Sequence, residues 1–326
     1  MPEVWTLWFH PALVSEYQPP LFCVVRILNS LEKAKNCRAY SCWHPVFALE
    51  DLEEGGAPTS TRLLGQDIVC ERLQHGRVSV RFGDRKDRSE DSIQDLHSQV
   101  QYGFVWACLG PTPQPLFDIP EYHEADRRNV CTGVFGVEVS APRAIENFLD
   151  MGHFPFVHTG LLGIEPHTEV VDYQVTVSDQ SNEIVATECL FFQPQAAAGS
   201  VGGVVTEYVY RVPHPFCAIL YKSCPFDGSR RDVITIFVQP EDEERIRAHT
   251  MMSIIDPESS DASIRLFQQS IFGQDKPILE NQFPKKLPLD PLDEISVRAD
   301  RVAVAYRKWL ASSGICYGVI PCVDVT

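Results

Sequence analysis

The sequence predicts an α+β fold in which an antiparallel sheet packs against a few helices. Several short segments between residues 183 and 255 alternate polar and apolar side chains, which is the pattern of strands with one buried face. Turn-forming pairs such as Asp227-Gly228 separate these segments, so we expect neighbouring strands to run antiparallel. Helical spacing occurs before and after this block, and segregation of that kind indicates α+β rather than α/β.

The order of the elements divides the chain. Residues 1–42 lack clean periodicity and are interpreted as an extension. Strand-like segments follow at 77–82 and 102–109, on either side of a charged run that is expected to be a loop. After a proline-rich boundary we expect one helix, then strands at 183–192, 204–212, 216–223, 232–239 and 247–255, then helices at 262–280 and 300–311. The predicted units are an extension at 1–42, a β-rich unit at 43–115, a larger α+β unit at 116–312 and a tail at 313–326.

Composition and charge exclude several classes of protein. The 326 residues are 44% hydrophobic and 22% charged, which is too much apolar mass for a disordered chain. A net charge of −16 disfavours binding to nucleic acid or to an anionic membrane surface. The 11 cysteines are scattered without any CxxC, and the chain start lacks a basic signal-peptide region. We therefore expect a cytoplasmic protein with reduced thiols and no disulfide framework.

The segment from residue 140 to residue 158 carries the most chemistry. Ser140 is a good helix N-cap, and Asn147, Asp150 and His153 then recur every three residues, so they predict a polar stripe on one helix face. His158 follows five residues after His153, from the distorted helix end or the next turn. An isolated pair of histidines usually binds no metal, because ordinary hydrogen bonds in the core or at the surface satisfy both side chains. A polar stripe beside bulky apolar residues is costly to bury unpaired and favours a metal site.

The residue types restrict the metal and suggest its third ligand. The chain has no HExxH for a zincin and no CxxC for a zinc finger, whereas two histidines and one carboxylate suit Fe(II) with open positions for O2. Asp275, in a helical segment rich in apolar residues, is the best candidate carboxylate. Gln268 lies two turns earlier on the same face and is expected to hydrogen-bond a ligand carbonyl. The alternatives are a solvated carboxylate at 275 and a surface amide at 268.

These motifs together resemble the catalytic domain of Rieske-type non-haem iron oxygenases. The resemblance rests on Asn147-x2-Asp150-x2-His153-x4-His158, followed by the run from Gln274 to Glu280, and it extends from about residue 43 to residue 310. It implies a helix-grip catalytic domain in which His153, His158 and Asp275 bind a mononuclear iron. It further implies that Asp150 links this iron to the Rieske cluster of a neighbouring subunit, and that Asn147 lies near the iron.

The amino-terminal part departs from this family. Its members hold a [2Fe–2S] cluster through C-x-H and C-x-x-H pairs. Here no cysteine lies between Cys70 and Cys108, and Cys70 with His75 has the wrong spacing. Cys42-Trp43-His44 is formally C-x-H but precedes the first predicted strand. We therefore interpret the β-rich 43–115 segment as a remnant of a Rieske domain that lacks the cluster-binding lobe and holds no [2Fe–2S] cluster.

Within the family the chain most resembles the methylxanthine N-demethylases, in particular the N7-demethylase type of subunit that lacks its own cluster. The resemblance implies conversion of a methylxanthine, such as 7-methylxanthine, to xanthine and formaldehyde, in an oligomer or hetero-complex. Electrons are then expected from NAD(P)H through a separate Rieske-containing reductase partner. O-demethylation or ring hydroxylation within the same family, a non-catalytic binding or scaffold subunit, and a zinc hydrolase remain alternatives.

Overall fold

The computed structural model describes residues 37–83, 95–111, 113–178, 181–195, 202–290 and 292–322. Residues from Cys37 onward form one compact unit. The predicted extension lies outside the described residues as far as residue 36, and so do most of the charged run and the last four residues of the predicted tail. The division into an extension, a Rieske-like remnant, a catalytic domain and a tail stays a prediction.

The described residues between 37 and 111 include two small antiparallel sheets. The first has the order β1-β6-β5 and the second the order β2-β3-β4. Their strands are β1 (His44–Ala48), β2 (Thr59–Leu63), β3 (Gln66–Arg72), β4 (Val78–Phe82), β5 (His97–Gln101) and β6 (Phe104–Cys108). β4 and β6 coincide with the strands predicted at 77–82 and 102–109. Every residue of β6 is buried, so this sheet shares its core with the rest of the unit.

A seven-stranded antiparallel sheet forms the centre of the molecule and confirms the predicted meander. Its order is β7-β13-β12-β11-β10-β9-β8, so consecutive strands are neighbours except at β7, which pairs with β13. Its strands are β7 (Arg128–Val137), β8 (Gln174–Val177), β9 (Ile184–Gln193), β10 (Val204–His214), β11 (Cys217–Ser223), β12 (Arg231–Pro240) and β13 (Ile246–Ile254). A short parallel pair, β14 (Leu287–Pro288) and β15 (Val319–Ile320), lies near the end of the chain.

Within the described residues, four α-helices flank the central sheet: α1 (Ala141–Leu149), α2 (Phe154–Val157), α3 (Asp261–Glu280) and α4 (Arg301–Ser312). Ser140 caps α1 as predicted, because its Oγ accepts the backbone N–H of Arg143 at 3.4 Å. Ser260 caps α3 in the same way. The α+β class and the two predicted carboxyl-terminal helices are confirmed.

Helix α3 packs along the edge strand β7. These contacts orient one face of the helix towards the central sheet. Gln269 Nε2 donates to the carbonyl of Thr132 at 2.8 Å, and the rings of Phe272 and Phe135 stack with centroids 4.4 Å apart. Ile264, Gln268, Ile271, Phe272 and Asp275 are buried on the inner face of this helix. The helix therefore presents one carboxylate and one amide to the interior, and both lie on the face that the sequence predicted.

A buried ion-pair cluster joins α1 to α4. Arg307 Nε lies 2.6 Å from Glu146 Oε1, and Arg143 Nη1 lies 3.3 Å from Glu146 Oε2. Glu294 pairs with both guanidinium groups from the loop before α4. The two positive and two negative charges of this cluster compensate one another in a region with little water. The cluster thereby connects α1 to α4.

The expectation of no disulfide is wrong for one pair of cysteines. Cys37 and Cys316 form a disulfide, with Cα atoms 5.7 Å apart. Their separation of 279 residues explains why spacing along the chain could not reveal it. Other described cysteines are free, and burial raises the pKa of Cys42 to about 12, so its thiol stays protonated. Among the described helices, none has the length and apolar character needed to cross a membrane.

Candidate metal centre

A turn after α1 brings the predicted site residues together. The helix ends at Leu149, and Asp150 is extended, with φ −76° and ψ 124°. Asp150 Oδ1 accepts the N–H of Gly152 at 2.7 Å, which closes an Asx-type turn, and a second helix then starts at Phe154. The expected continuous helical stripe therefore does not form. Pro155, in the first turn of α2, is the sequence signal for this break.

Three potential ligand atoms converge where α2 faces α3. His153 Nε2 and His158 Nε2 are 3.1 Å apart. Asp275 Oδ1 lies 3.3 Å from the first and 3.1 Å from the second. His158 is almost fully buried, and Asp275 is also buried. In the part of the chain that the structure describes, this is the one group of three or more such side chains close enough to share an ion.

Two further side chains orient the imidazoles. His153 Nδ1 donates to Asp150 Oδ2 at 3.0 Å, and His158 Nδ1 donates to Gln274 Oε1 at 2.9 Å. In neutral imidazoles, a proton on each Nδ1 leaves both Nε2 atoms able to bind a metal ion beside Asp275. Outer hydrogen bonds of this kind are what fixes the tautomer of a metal-binding histidine.

The donor set fits a divalent metal ion. At a metal–ligand distance of about 2.1 Å, adjacent ligand atoms lie about 3.0–3.4 Å apart, which matches the observed spacing. The buried Asp275 Oδ1 lies 3.3 and 3.1 Å from the two Nε2 atoms but forms no well-aligned hydrogen bond among the described residues. A buried carboxylate oxygen is costly to leave without a partner, and a cation supplies one. Two imidazoles and one carboxylate are the facial set of non-haem Fe(II) sites.

The electrostatics of the protein alone show how strongly the site attracts positive charge. Burial opposes protonation of His153, but the carboxylates of Asp150 and Asp275 overcome it and raise the pKa of His153 to about 9. Burial likewise disfavours the charged form of Asp275, yet the two imidazoles hold the pKa of Asp275 below its ordinary value. The three side chains thus retain a proton in the place that a cation would fill.

The three ligand atoms open into a pocket between the concave face of the sheet and α3. Its walls are mostly apolar, with contributions from Phe148, Phe154, Leu220, Ile234, Met252 and Ile271. Asn147, from the last turn of α1, and Gln268, from α3, also line it. Gln268 is 7% exposed and lies seven residues before Asp275, about 10 Å along the helix. A small, flat, mostly apolar molecule with a few polar groups is the kind of ligand that suits such a pocket.

The structure brings all six predicted site residues to one place, and their roles stay predictions. His153, His158 and Asp275 form the triad, Asp150 contacts His153, and Asn147 and Gln268 line the pocket. No role was predicted for Gln274, Lys222 or Asp232. Gln274 directly precedes Asp275 in the quoted motif. Lys222 and Asp232 line the pocket from β11 and β12, and no sequence pattern indicated this.

Replacing Gln274 by Leu is expected to weaken Fe(II) binding about 10- to 100-fold without unfolding the chain, because His158 loses the acceptor that fixes its Nδ1 proton. The measurement is an anaerobic Fe(II) titration. Gln269→Leu is the matched control, since Gln269 lies on the same helix but bonds the Thr132 carbonyl. Equal iron affinities for Gln274→Leu and the wild-type chain would contradict this role.

Sequence comparison identifies the domain that contains these residues. Residues 137–313 match the family described as vanillate O-demethylase oxygenase C-terminal domain. The matched range contains α1 to α4 and the whole of the candidate site, and it spans more than half of the chain.

Curated relatives and solved structures extend the match. The chain is 45% identical over 285 residues to a probable methylxanthine N7-demethylase, NdmC, of Pseudomonas sp. (strain TJI-51), covering 87% of this chain and 98% of the relative. It is 25% identical over 315 residues to the methylxanthine N1-demethylase NdmA of Pseudomonas putida, covering 82% and 87%. A solved structure of NdmA with caffeine, from Pseudomonas putida CBB5, superposes with a TM-score of 0.70 at 20% identity, covering 90% of this chain and 99% of that chain. Dicamba monooxygenase bound to dicamba superposes with a TM-score of 0.68 at 15% identity, covering 85% and 98%.

The fold, the facial triad of donors and these matches define an oxidoreductase of the oxygenase class. The chain belongs to the Rieske-type non-haem iron oxygenase family and carries its vanillate O-demethylase type of C-terminal domain. Within that family it is similar to the methylxanthine N-demethylases. This membership favours an enzyme over the non-catalytic scaffold and zinc hydrolase alternatives.

Proposed function

We propose that this chain is the catalytic subunit of an O2-dependent methylxanthine N-demethylase that acts on an N7-methyl group, with 7-methylxanthine as its substrate. The observation that carries the proposal is the convergence of His153 Nε2, His158 Nε2 and Asp275 Oδ1 on one point at the pocket wall. The choice of substrate is supported by the 45% identity to a probable methylxanthine N7-demethylase over 98% of that relative's length.

The three converging side chains would hold a mononuclear Fe(II). The chemistry that this ion supplies when bound is reductive activation of O2, by which an N-methyl group becomes N-hydroxymethyl. The N-hydroxymethyl compound then breaks its C–N bond and gives formaldehyde and a ring N–H. In balance, one methyl group, one O2, two electrons and two protons give formaldehyde, the N–H product and water.

The protein's own residues orient the ligand and control access to the site. The apolar walls exclude water and hold a flat ring, while Asn147 and Gln268 offer amide groups to its polar edge. Gln274 and Asp150 keep the imidazole protons away from the pocket. Asp150 is partly exposed, with 33% of its side-chain surface accessible, and so joins His153 to the protein surface. We propose that electrons arrive on this side.

The electron source in this proposal is a separate chain. The sequence has no C-x-x-H motif, and within the described residues the imidazole of its one C-x-H motif, His44, is buried and bonds the Ala39 carbonyl. We therefore propose that this subunit holds no [2Fe–2S] cluster of its own. A cytoplasmic partner with a Rieske cluster and an NAD(P)H-dependent reductase would supply two electrons for each turnover.

Anaerobic loading with Fe(II), followed by metal and sulfide analysis, tests the proposed centre. We expect close to one iron and no acid-labile sulfide per chain. Hydrogen peroxide carries the same atoms as O2, two electrons and two protons, so it replaces the partner in an assay for formaldehyde. We expect formaldehyde from 7-methylxanthine and much less from the methoxyaromatic vanillate. Release from vanillate alone would favour the O-demethylase alternative, and retention of zinc instead of iron would contradict the oxygenase centre.

A further inference from the structure

Three strongly exposed apolar side chains lie in one loop between β14 and α4. Leu292 is 90% exposed, Ile295 is 98% exposed and Val297 is 63% exposed. Single apolar residues are common at protein surfaces, whereas several of them close together mark a site where another molecule binds. We call the segment from residue 292 to residue 297 the apolar loop.

Polar contacts hold the apolar loop in place. Glu294 reaches inward to the buried ion-pair cluster, where its Oε2 accepts from Arg143 Nη1 at 3.1 Å. At the end of the loop, the backbone N–H of Val297 donates to Asp300 Oδ2 at 2.8 Å. Because Glu294 points inward, the next side chain, Ile295, is left almost fully in solvent. A loop that is already ordered loses little conformational entropy when a partner covers it.

The apolar loop lies beside the turn that contains Asp150. A Cβ atom on Gly152 would lie 3.2 Å from Asp150 Oδ1 and 4.0 Å from the Cβ atom of Ala299. Ala299 follows Val297 by two residues, so their Cα atoms are at most about 7 Å apart. Asp150 is partly exposed and accepts from His153 Nδ1. The loop is therefore next to the surface through which, in the proposed function, electrons reach the candidate metal centre.

The charges around the apolar loop are mainly negative. Asp293 lies within the loop, Asp300 follows it, and Asp150 lies beside it. Two arginines after the loop already pair with acidic side chains: Arg298 with Glu169, and Arg301 with Asp172. The surface that complements this region has an apolar centre and a rim of positive charge, and opposite charges of this kind speed association.

We propose that the apolar loop is the docking surface for the electron-donating partner, a chain whose contact surface has an apolar centre and a rim of lysine and arginine side chains. This inference rests on the proposed function and deepens it. Electron transfer through protein slows steeply with distance, so the donor has to bind close to Asp150. A second copy of this chain carries the same net charge of −16 and fits these carboxylates less well.

Formaldehyde release at increasing concentrations of a purified, NAD(P)H-dependent reductase that carries a Rieske domain tests the docking surface. The double variant Leu292→Ser/Ile295→Ser is expected to raise the KM for the reductase at least about tenfold and to leave kcat within about twofold. Peroxide-driven release needs no partner and should not change. Leu266→Ser is the matched control, because Leu266 is 66% exposed but lies on α3, and we expect wild-type kinetics.

The sign of the rim is tested in the same assay. Asp293→Lys places a positive charge in the apolar loop and is expected to raise the KM for the reductase at least about threefold at low ionic strength, with a smaller effect in about 0.5 M salt. A KM that is unchanged or lower in Asp293→Lys would contradict a positively charged rim on the partner.

The remaining outcomes separate the docking surface from the proposed function. If the double variant has the wild-type KM, or if its reductase-driven and peroxide-driven rates fall together, the docking surface is overturned and the proposed function stands. If sedimentation shows a wild-type dimer and a monomeric double variant with an unchanged KM, the loop is an interface between copies, and the docking surface is again overturned. If the iron-loaded wild-type chain releases no formaldehyde even with peroxide, the proposed function is overturned, and this inference with it.

Discussion

Replacing Asp275 by Ala is expected to give a folded chain that retains no Fe(II) and releases no formaldehyde. Asp275 supplies the one carboxylate among the three converging donors, and its removal leaves two neutral imidazoles that cannot balance the charge of the ion. Loss of an outer hydrogen bond typically costs about 10- to 100-fold in metal affinity, so loss of a ligand should cost more than about 100-fold. The measurements are iron per chain and formaldehyde per chain.

Asp150→Asn is the informative comparison for Asp275→Ala. Both changes remove one carboxylate next to His153, but Asp150 meets Nδ1, whereas Asp275 faces Nε2. The amide oxygen of Asn still accepts from Nδ1, so we expect iron to stay bound. Turnover with a reductase partner should fall strongly if Asp150 links the centre to its donor. Full activity of Asp150→Asn with the partner would refute that link, and stoichiometric iron in Asp275→Ala would refute the proposed triad.

Replacing Arg307 by Met is expected to lower the free energy of unfolding by about 3–5 kcal/mol. Glu146 and Glu294 both pair with Arg307, and Glu146 is buried. Burial raises the pKa of Glu146, and the Arg307 guanidinium opposes this shift by stabilising the carboxylate. Without Arg307, Arg143 would be the one arginine of the cluster left to pair with Glu146 and Glu294. Urea unfolding measures the change, provided that the transition is two-state.

We expect the large loss of unfolding free energy in Arg307→Met because the ion pair is buried. Loss of an exposed salt bridge should cost much less. Arg298→Met is the matched control, because the Arg298 side chain is 64% exposed where it pairs with Glu169. We expect this change to cost less than about 1 kcal/mol. The double variant Arg307→Met/Glu146→Gln should recover part of the stability, because it removes the uncompensated carboxylate. Equal effects of Arg307→Met and Arg298→Met would show that the cluster is not held in a water-poor environment.

Local sequence signals predicted five strands of the central sheet and the two carboxyl-terminal helices, but not β7 or β8. Alternation predicted the central meander, since a strand with one buried face needs an apolar residue at every second position. Helical spacing predicted α3, and with it the inward direction of both Gln268 and Asp275. The spacing of Asp150, His153 and His158 indicated a metal site, and the resemblance to the family implied the role of each residue.

Other features were decided only by tertiary contacts. The polar stripe predicted from Asn147 to His153 is not helical, because the Asp150–Gly152 turn and Pro155 end α1 and redirect the chain. The disulfide between Cys37 and Cys316 joins positions that have no common motif.

The sequence by itself predicted most of the central sheet and the side chains that converge at the candidate site, because both depend on periodicity and on the chemistry of single residues. The tertiary structure decided which polar groups meet across strands and helices. Lys222 faces Asp232 only because β11 and β12 pair in one register, and Gln274 reaches His158 only because α3 packs along β7. Such contacts depend on distances between residues far apart in the chain, and no local pattern encodes those distances.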